Sequence, residues 1–504
     1  MEKPVVICID ASKLSEHAYN PIFDGVSAID RVFDFAHELR QQFSADLIII
    51  ADRTTLSRSG TEVQYRDEWS RQDVVSMLLQ YTAGLDRHAS VCVIRADAPL
   101  PIYDETVDLL LQHQRYFAHY SFCDGYPAGC TPEIVSVEAL HLLKGLAAEN
   151  MPFTRLFDII EKDINAFDIE TRISPQDFRL LRLELRADSR RNLLLTHGIY
   201  SELQGITENR HSAQQLITVL NTRKDLFRTL PASLNLVLHT ESSRPAIYMP
   251  ELPSIPGIPA ANAVQVAMEF AELVETGTVV FSHLGEPSEY EHIYSLILKC
   301  AQLGLDVVIE TDGIGWDYTR IAELSTRLGG EEQRDRVTWI VFLDTLHLEL
   351  YRKIRPAGDL QKAIESVDTI SAAFPESVYV QATRMGITEP HLLEFYREWK
   401  KKTDRIIIQK YNHYAGRLPD HQVTNTAPIT RMPCWRLKRE ITVLPDGTVT
   451  TCHVDVIEPH SYGKVLEEPL HVIWQKMAAV YQQHIDGRYP KMCEKCDEYY
   501  TFTF

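Results

Sequence analysis

Long apolar runs are missing from this 504-residue chain: none reaches the ~18–20 residues a membrane helix needs, so no membrane partner is expected. Positive charge is also scarce. Lys and Arg number 51 against 70 Asp and Glu, a net charge of −19 that repels phosphate backbones and argues against nucleic-acid binding. The nineteen histidines include no His-Glu-x-x-His spacing, and neither a Gly-x-Ser-x-Gly turn nor a phosphate-binding Gly-Lys-Ser/Thr loop occurs. The opening Met1-Glu2-Lys3-Pro4 leads straight into Val5–Ile9, without the apolar core and cleavage site of a signal peptide. A reducing cytoplasmic location is therefore expected, where the nine cysteines serve as free thiols or metal ligands rather than disulfides. No cysteine lies between Cys130 and Cys300.

What is present is an α/β pattern. In residues 1–205, Val5–Asp10, Asp46–Asp52 and Val91–Asp97 are short apolar runs ending in acids, with a helical stretch at Ala28–Phe43. Such runs suit parallel strands buried on both faces, in a doubly wound domain whose ligands bind at strand carboxyl ends. Residues 206–231 read as a polar helical connector. Across 232–415 six strand candidates follow: Leu234–Thr240, Thr278–Leu284, Asp306–Thr311, Val337–Asp344, Ser377–Thr383 and Arg405–Lys410. Helical patterns separate them; in the first, Val264, Met268, Ala271 and Val274 are expected to share a face. Six βα units predict a partial (β/α)6 barrel. Asn412–Pro433 reads as a linker, and 432–504 as a small cysteine-rich module. Within that module Pro445-Asp446-Gly447 signals a hairpin, and Val472–Gln483 a helix carrying Trp474.

The module's cysteines carry the clearest chemistry. Cys434 and Cys452 flank the hairpin, and Cys493 and Cys496 form a Cys-x-x-Cys turn. Four thiolates complete either a tetrahedral zinc site or an iron–sulfur cluster, and spacing alone leaves both open.

Beyond spacing, Cys434, Gly447, Cys452, Asp455, Tyr462-Gly463-Lys464-Val465 and Ile473-Trp474 resemble the opening of the SPASM domains appended to radical S-adenosylmethionine enzymes. The family's full modules carry further cysteines; with four, the resemblance implies one 4Fe–4S cluster. The middle region is similar to the radical S-adenosylmethionine barrel. Gly285-Glu286-Pro287 resembles that family's stretch for the amino end of the cofactor, and Thr311-Asp312-Gly313 its next strand end. The departure is the family's Cys-x-x-x-Cys-x-x-Cys loop after the first strand, replaced here by Thr240-Glu241-Ser242-Ser243-Arg244-Pro245-Ala246. Serines do not substitute for soft thiolates, so radical chemistry and S-adenosylmethionine use are both placed in doubt.

More distantly, residues 1–205 resemble the sugar-nucleotide cytidylyltransferases, through Asp97-Ala98-Pro99-Leu100, Gly129–Ser136 and Ala187-Asp188-Ser189. That resemblance implies Asp97 and Asp188 as Mg²⁺ ligands and a nucleotide as substrate. The glycine-rich phosphate loop of the family is absent: Asp10–Pro21 has no glycine and one lysine. The whole order resembles the spiro-SPASM proteins. The resulting expectation is a 4Fe–4S protein with a catalytically degenerate barrel, serving recognition, scaffolding or electron transfer, with a peptide or protein as partner. The alternative is a divergent Mg²⁺-dependent nucleotidyltransferase acting on a sugar acid or related compound.

Overall fold

A computed structural model describes residues 3–52, 61–148, 151–204 and 210–501, which form two compact units dividing at Thr229 and Leu230. The boundary expected at 205/206 lies outside the described residues.

The first unit is a seven-stranded sheet. Its strands are β1 (Val5–Ala11), β2 (Asp46–Ala51), β3 (Glu62–Tyr65), β4 (Ser90–Arg95), β5 (Tyr120–Asp124), β6 (Glu133–Ser136) and β7 (Ile169–Ile173). Their spatial order is β3-β2-β1-β4-β6-β5-β7, with β6 antiparallel to both neighbours and the other pairs parallel. The run Val5–Ile9 is buried throughout, as a central strand covered on two faces must be. The helix Ala28–Phe43 begins with a reciprocal Ser27–Asp30 capping box and buries Ile29, Val32, Phe33, Ala36 and Leu39 on one stripe. The segment read as a polar connector contains the helix Ala213–Thr222, whose Leu216, Ile217, Val219 and Leu220 are buried.

The second unit contains all six expected βα strands: β8 (Ser233–Leu236), β9 (Thr278–Phe281), β10 (Asp306–Thr311), β11 (Val337–Phe342), β12 (Val378–Arg384) and β13 (Ile406–Lys410). They are consecutive parallel neighbours. Strand alternation divides their side chains. Val279, Phe281, Val307, Ile309, Trp339, Val341 and Val380 pack outward beneath the helices, while Val280, Val308, Ile340, Phe342 and Ile407 form an inner cluster. In the helix Ala260–Val274 the buried stripe is Ala263, Val266, Ala267, Phe270 and Val274; Met268, expected on that face, is 41% exposed.

The cysteine-bearing segment shares this sheet. Its strand β14 (Glu440–Val443) pairs in parallel with β8, and β15 (Thr448–Thr450) and β16 (Gly463–Lys464) continue the sheet antiparallel. Gly447 turns the hairpin at φ +84°, a conformation a side chain resists. The expected helix at 472–483 is two helices, Leu470–Lys476 and Ala478–Ile485, meeting at a fully buried Met477.

Candidate metal centre

Two loops and a helical turn deliver the four terminal cysteines to one small cavity, which Cys434, Cys452, Cys493 and Cys496 line together with Arg431, Arg436, Thr451, His484 and Glu498. Cys434 enters from the turn before β14, Cys452 leaves β15, and Cys493 begins a Cys-x-x-Cys turn closed by a Cys496 N–H bond to the Cys493 carbonyl (3.2 Å). Cys434, Cys452 and Cys493 are buried. Burial pushes all four up, Cys493 to about 12, and neighbouring thiols add to it at Cys452, Cys493 and Cys496. Bare thiols here stay protonated, and a soft metal is what makes them thiolates. A tetrahedral zinc ion with Zn–S near ~2.3 Å draws sulfurs to about 3.8 Å apart. A cubane with one iron at each sulfur holds them wider, and four thiols are a donor set that fits either group. The Glu498 N–H points at the Cys496 sulfur (3.4 Å), the kind of contact that stabilises a charged thiolate.

One wall of this centre is a buried ion network whose members also line the hollow of the curled sheet. Arg436 is 1% exposed and donates to Glu440 (3.1 Å), to the Glu498 carboxylate (3.3 Å) and carbonyl (3.2 Å), and to Thr501 (3.0 Å). Glu498 also takes Lys410 (2.7 Å), and Glu440 takes His453 (2.9 Å). Lys410, Glu440, His453 and Glu498 line a single cavity with Asn235, Ser282, His283, Glu310, Gln381, Thr383, Gln409 and Asn412. That residues from every strand β8–β14 share one cavity requires the sheet to curl around it. His283 and Glu310 form a second pair there (2.6 Å), which, with His453 nearby, outweighs burial and holds the Glu310 carboxyl low.

The Gly285-Glu286-Pro287 turn follows β9, and its groups are engaged within the protein. Glu286 is 3% exposed and accepts from Thr311 Oγ1 (2.6 Å), Asp312 N (2.9 Å) and Ser288 N (3.1 Å). Burial and the Asp312 carboxylate push its carboxyl up. A Cβ placed on Gly285 would stand 2.0 Å from the His239 carbonyl oxygen, so the chain leaving β8 lies directly on this glycine. Five residues on, Arg244 donates to Asp312 (2.8 Å) and the Ile314 carbonyl (3.0 Å) and pairs with Glu289 (3.0 Å). With three protein donors on it, the Glu286 carboxylate keeps little acceptor capacity for an S-adenosylmethionine amino group.

In the first unit, Asp97 and Asp188 are bridged by Arg186, at 2.7 Å and 3.4 Å. Asp97 is 1% exposed and also pairs with Arg95 (3.2 Å), which reaches Asp10 as well (3.2 Å). Asp188 further accepts from Asn192 (2.8 Å). A Mg²⁺ ion shared by the two acids would have to displace the Arg186 guanidinium, so these residues do not fit that ion as they stand.

The sequence singled out the four cysteines and the Gly285–Pro287 turn but passed over Arg436, Glu440, Lys410 and Glu498. A usable signal existed for Glu310 and Glu440. Each occupies an inward phase of an otherwise apolar strand, where an acid needs a reason.

Residues 434–497 match the SPASM family model, described as an iron–sulfur cluster-binding domain. Among solved structures, BtrN in complex with AdoMet and 2-DOIA is similar at 14% identity, covering 54% of this chain and 94% of that one, with a TM-score of 0.38. Streptococcus suis SuiB bound to precursor peptide SuiA is similar at 12% identity, covering 58% and 80%, with a TM-score of 0.41. An uncharacterized protein of Treponema pallidum (strain Nichols) is 31% identical over 362 residues, spanning 69% of this chain and 98% of that protein. At that identity and coverage the chain belongs to the same family as the Treponema pallidum protein, and it carries within that family a SPASM iron–sulfur domain.

Proposed function

We propose that this is an iron–sulfur protein holding one 4Fe–4S cluster on Cys434, Cys452, Cys493 and Cys496, of the spiro-SPASM type, with a barrel that recognises a ligand and performs no radical chemistry. The observation that carries the reading is the convergence of four thiols, three of them buried, on one cavity within the stretch that matches an iron–sulfur cluster-binding domain. When bound, such a cluster supplies one-electron exchange. The chain's own residues do the rest. Arg436, Glu440 and Glu498 fix the wall between the thiols and the barrel hollow. Asn235, Ser282, Gln381, Thr383, Gln409 and Asn412 present neutral hydrogen-bonding groups to that hollow, suited to the amides of a peptide. A peptide or protein partner is what the SPASM resemblance implies, and a recognition, scaffold or electron-transfer role is the one we assign.

The loop Thr240–Ala246 supports the absence of radical chemistry: it holds no thiol, and Arg244 ties it to Asp312 and Glu289. The second reading, a nucleotidyltransferase in residues 1–205 working with Mg²⁺, has less behind it, since Arg186 stands between Asp97 and Asp188.

Anaerobic reconstitution with iron and sulfide tests the proposal. Iron and acid-labile sulfide are expected in equal amounts, with broad visible charge-transfer absorbance that Cys493→Ala abolishes. Zinc alone at the quartet, or a spectrum unchanged in Cys493→Ala, would overturn it.

A further inference from the structure

We propose a second, independent metal site on the rim of the barrel, where His347, His391 and Glu394 bind a divalent transition ion such as Zn²⁺. One ligand atom from each lies within 4.8 Å of the others, and the two imidazole rings are 4.4 Å apart between centroids. His347 Nε2 already meets Glu394 Oε2 at 2.8 Å. Two imidazoles and one carboxylate form a donor set matched to zinc, nickel or iron(II), and poorly matched to Ca²⁺ or Mg²⁺.

The placement of the ligands is also that of a site. His347 lies on the loop leaving β11, and His391 and Glu394 follow β12, one helical turn apart at the start of the helix Leu392–Lys400. The carboxyl ends of adjacent parallel strands are where α/β barrels assemble their sites. Both loops are fixed from below. Asp344, at the exit of β11, holds a left-handed φ of +61° that a non-glycine residue adopts only when its surroundings impose it. Its carboxylate accepts from Tyr248 (2.7 Å) and Thr383 N (2.9 Å), and Arg355 donates to the same Tyr248 oxygen (2.7 Å). After β12, the fully buried Thr388 donates to the Thr383 carbonyl (2.6 Å) and accepts from Met385 N (2.8 Å). Arg384 grips Glu389 through two bonds (2.7 and 2.8 Å). Ligands on pinned loops lose little freedom when an ion arrives. The side chains of His347 and Glu394 are 43% and 53% exposed, so water or a partner's donor can complete the coordination.

Nothing in this site depends on the cysteine quartet, and the test separates them. Calorimetric titration with Zn²⁺ compares the full-length wild-type chain with His347→Ala and His391→Ala, each first treated with a chelator. Zinc taken by the thiols appears equally in all three, so the site is read as a difference. Wild type is expected to bind one more equivalent than either variant, and Glu394→Gln to weaken that equivalent at least tenfold. His347 and His391 sit on different loops, so one variant serves if circular dichroism shows the other misfolded. Matching isotherms for wild type and a folded histidine variant would overturn the proposal and leave His347–Glu394 as a surface ion pair.

Discussion

Replacing Arg436 with alanine removes the cation that sits between the cysteine centre and the barrel hollow, and the structure sets the size of the effect. The guanidinium is 1% exposed, and its carboxylate partners Glu440 and Glu498 are 5% and 4% exposed. Breaking a buried pair from one side typically costs about 3–5 kcal/mol, because the remaining charge keeps its desolvation penalty without its partner. Here Glu498 retains Lys410 and Glu440 retains His453, which places the expected loss near the lower end, about 3 kcal/mol. At a urea sensitivity near ~3 kcal/mol/M, the midpoint should fall by about 1 M. Tryptophan emission reads it well, since Trp316, Trp339, Trp399, Trp435 and Trp474, five of the six tryptophans, belong to the second unit. Adding Glu440→Gln to Arg436→Ala removes one stranded charge and should recover about 1 kcal/mol or more. Arg436 is not a metal ligand in this reading, so reconstituted iron content should persist in the variant. A midpoint shift below ~0.3 M, with no recovery in the double variant, would show that the network contributes little and that the coupling between centre and barrel is misjudged.

Asp97→Asn tests the first unit. Burial alone would raise the Asp97 carboxyl, but Arg95 and Arg186 outweigh it and hold it below the usual carboxylate range. A depressed folded value contributes stability that is present above the unfolded pKa of ~3.9 and lost as pH falls through the folded one. The variant should therefore be about 2–3 kcal/mol less stable at pH 7, with the gap to wild type closing below about pH 4. Hydrogen exchange of the Ser90–Arg95 strand measures this, and a gap constant from pH 7 to pH 3 would refute it. Gly285→Ala forces a methyl to within 2.0 Å of the His239 carbonyl, an overpacking that should cost about 3 kcal/mol and lower the thermal midpoint of the second unit. An unchanged midpoint would mean that the chain leaving β8 does not lie on this turn.

Much of the architecture was legible locally. Six strands of the second unit announce themselves as β-branched runs separated by amphipathic helices, and all six stand where the pattern put them, within a few residues at their ends. Four strands of the first unit escaped; Tyr120–Asp124 and Glu133–Ser136 are interior but only five and four residues long, too short to show a pattern. Glu62–Tyr65 and Ile169–Ile173 lie at the two edges of their sheet and are only partly buried, so neither shows an apolar run. The union of the cysteine segment with the barrel was not legible at all. Glu440–Val443 pairs with Ser233–Leu236 some two hundred residues earlier, and nothing near either strand specifies the other. The cysteines could be found because a Cys-x-x-Cys turn is a local signature. Arg436 could not, because its burial depends on Glu498, sixty-two residues away.

The three places where resemblance implies a bound cation differ in what they hold, and the difference decides which can take an exchangeable one. Between Asp97 and Asp188 stands the Arg186 guanidinium. In the loop after β8, where thiolates would hold iron, Arg244 satisfies Asp312 and Glu289. Each is a covalently attached cation that does not deprotonate under ordinary conditions and offers several donors in a fixed plane, so it neutralises the acids permanently and leaves no vacancy to fill. At the quartet the arrangement is inverted. Arg436 stands in the wall, engaged with Glu440 and Glu498, while the four sulfurs face one another across the cavity with their protons still on. Exchanging those protons for a soft metal is favourable in a way that displacing a buried, doubly paired guanidinium is not. Of the three, the cysteine centre is the one with no guanidinium paired between its would-be ligands.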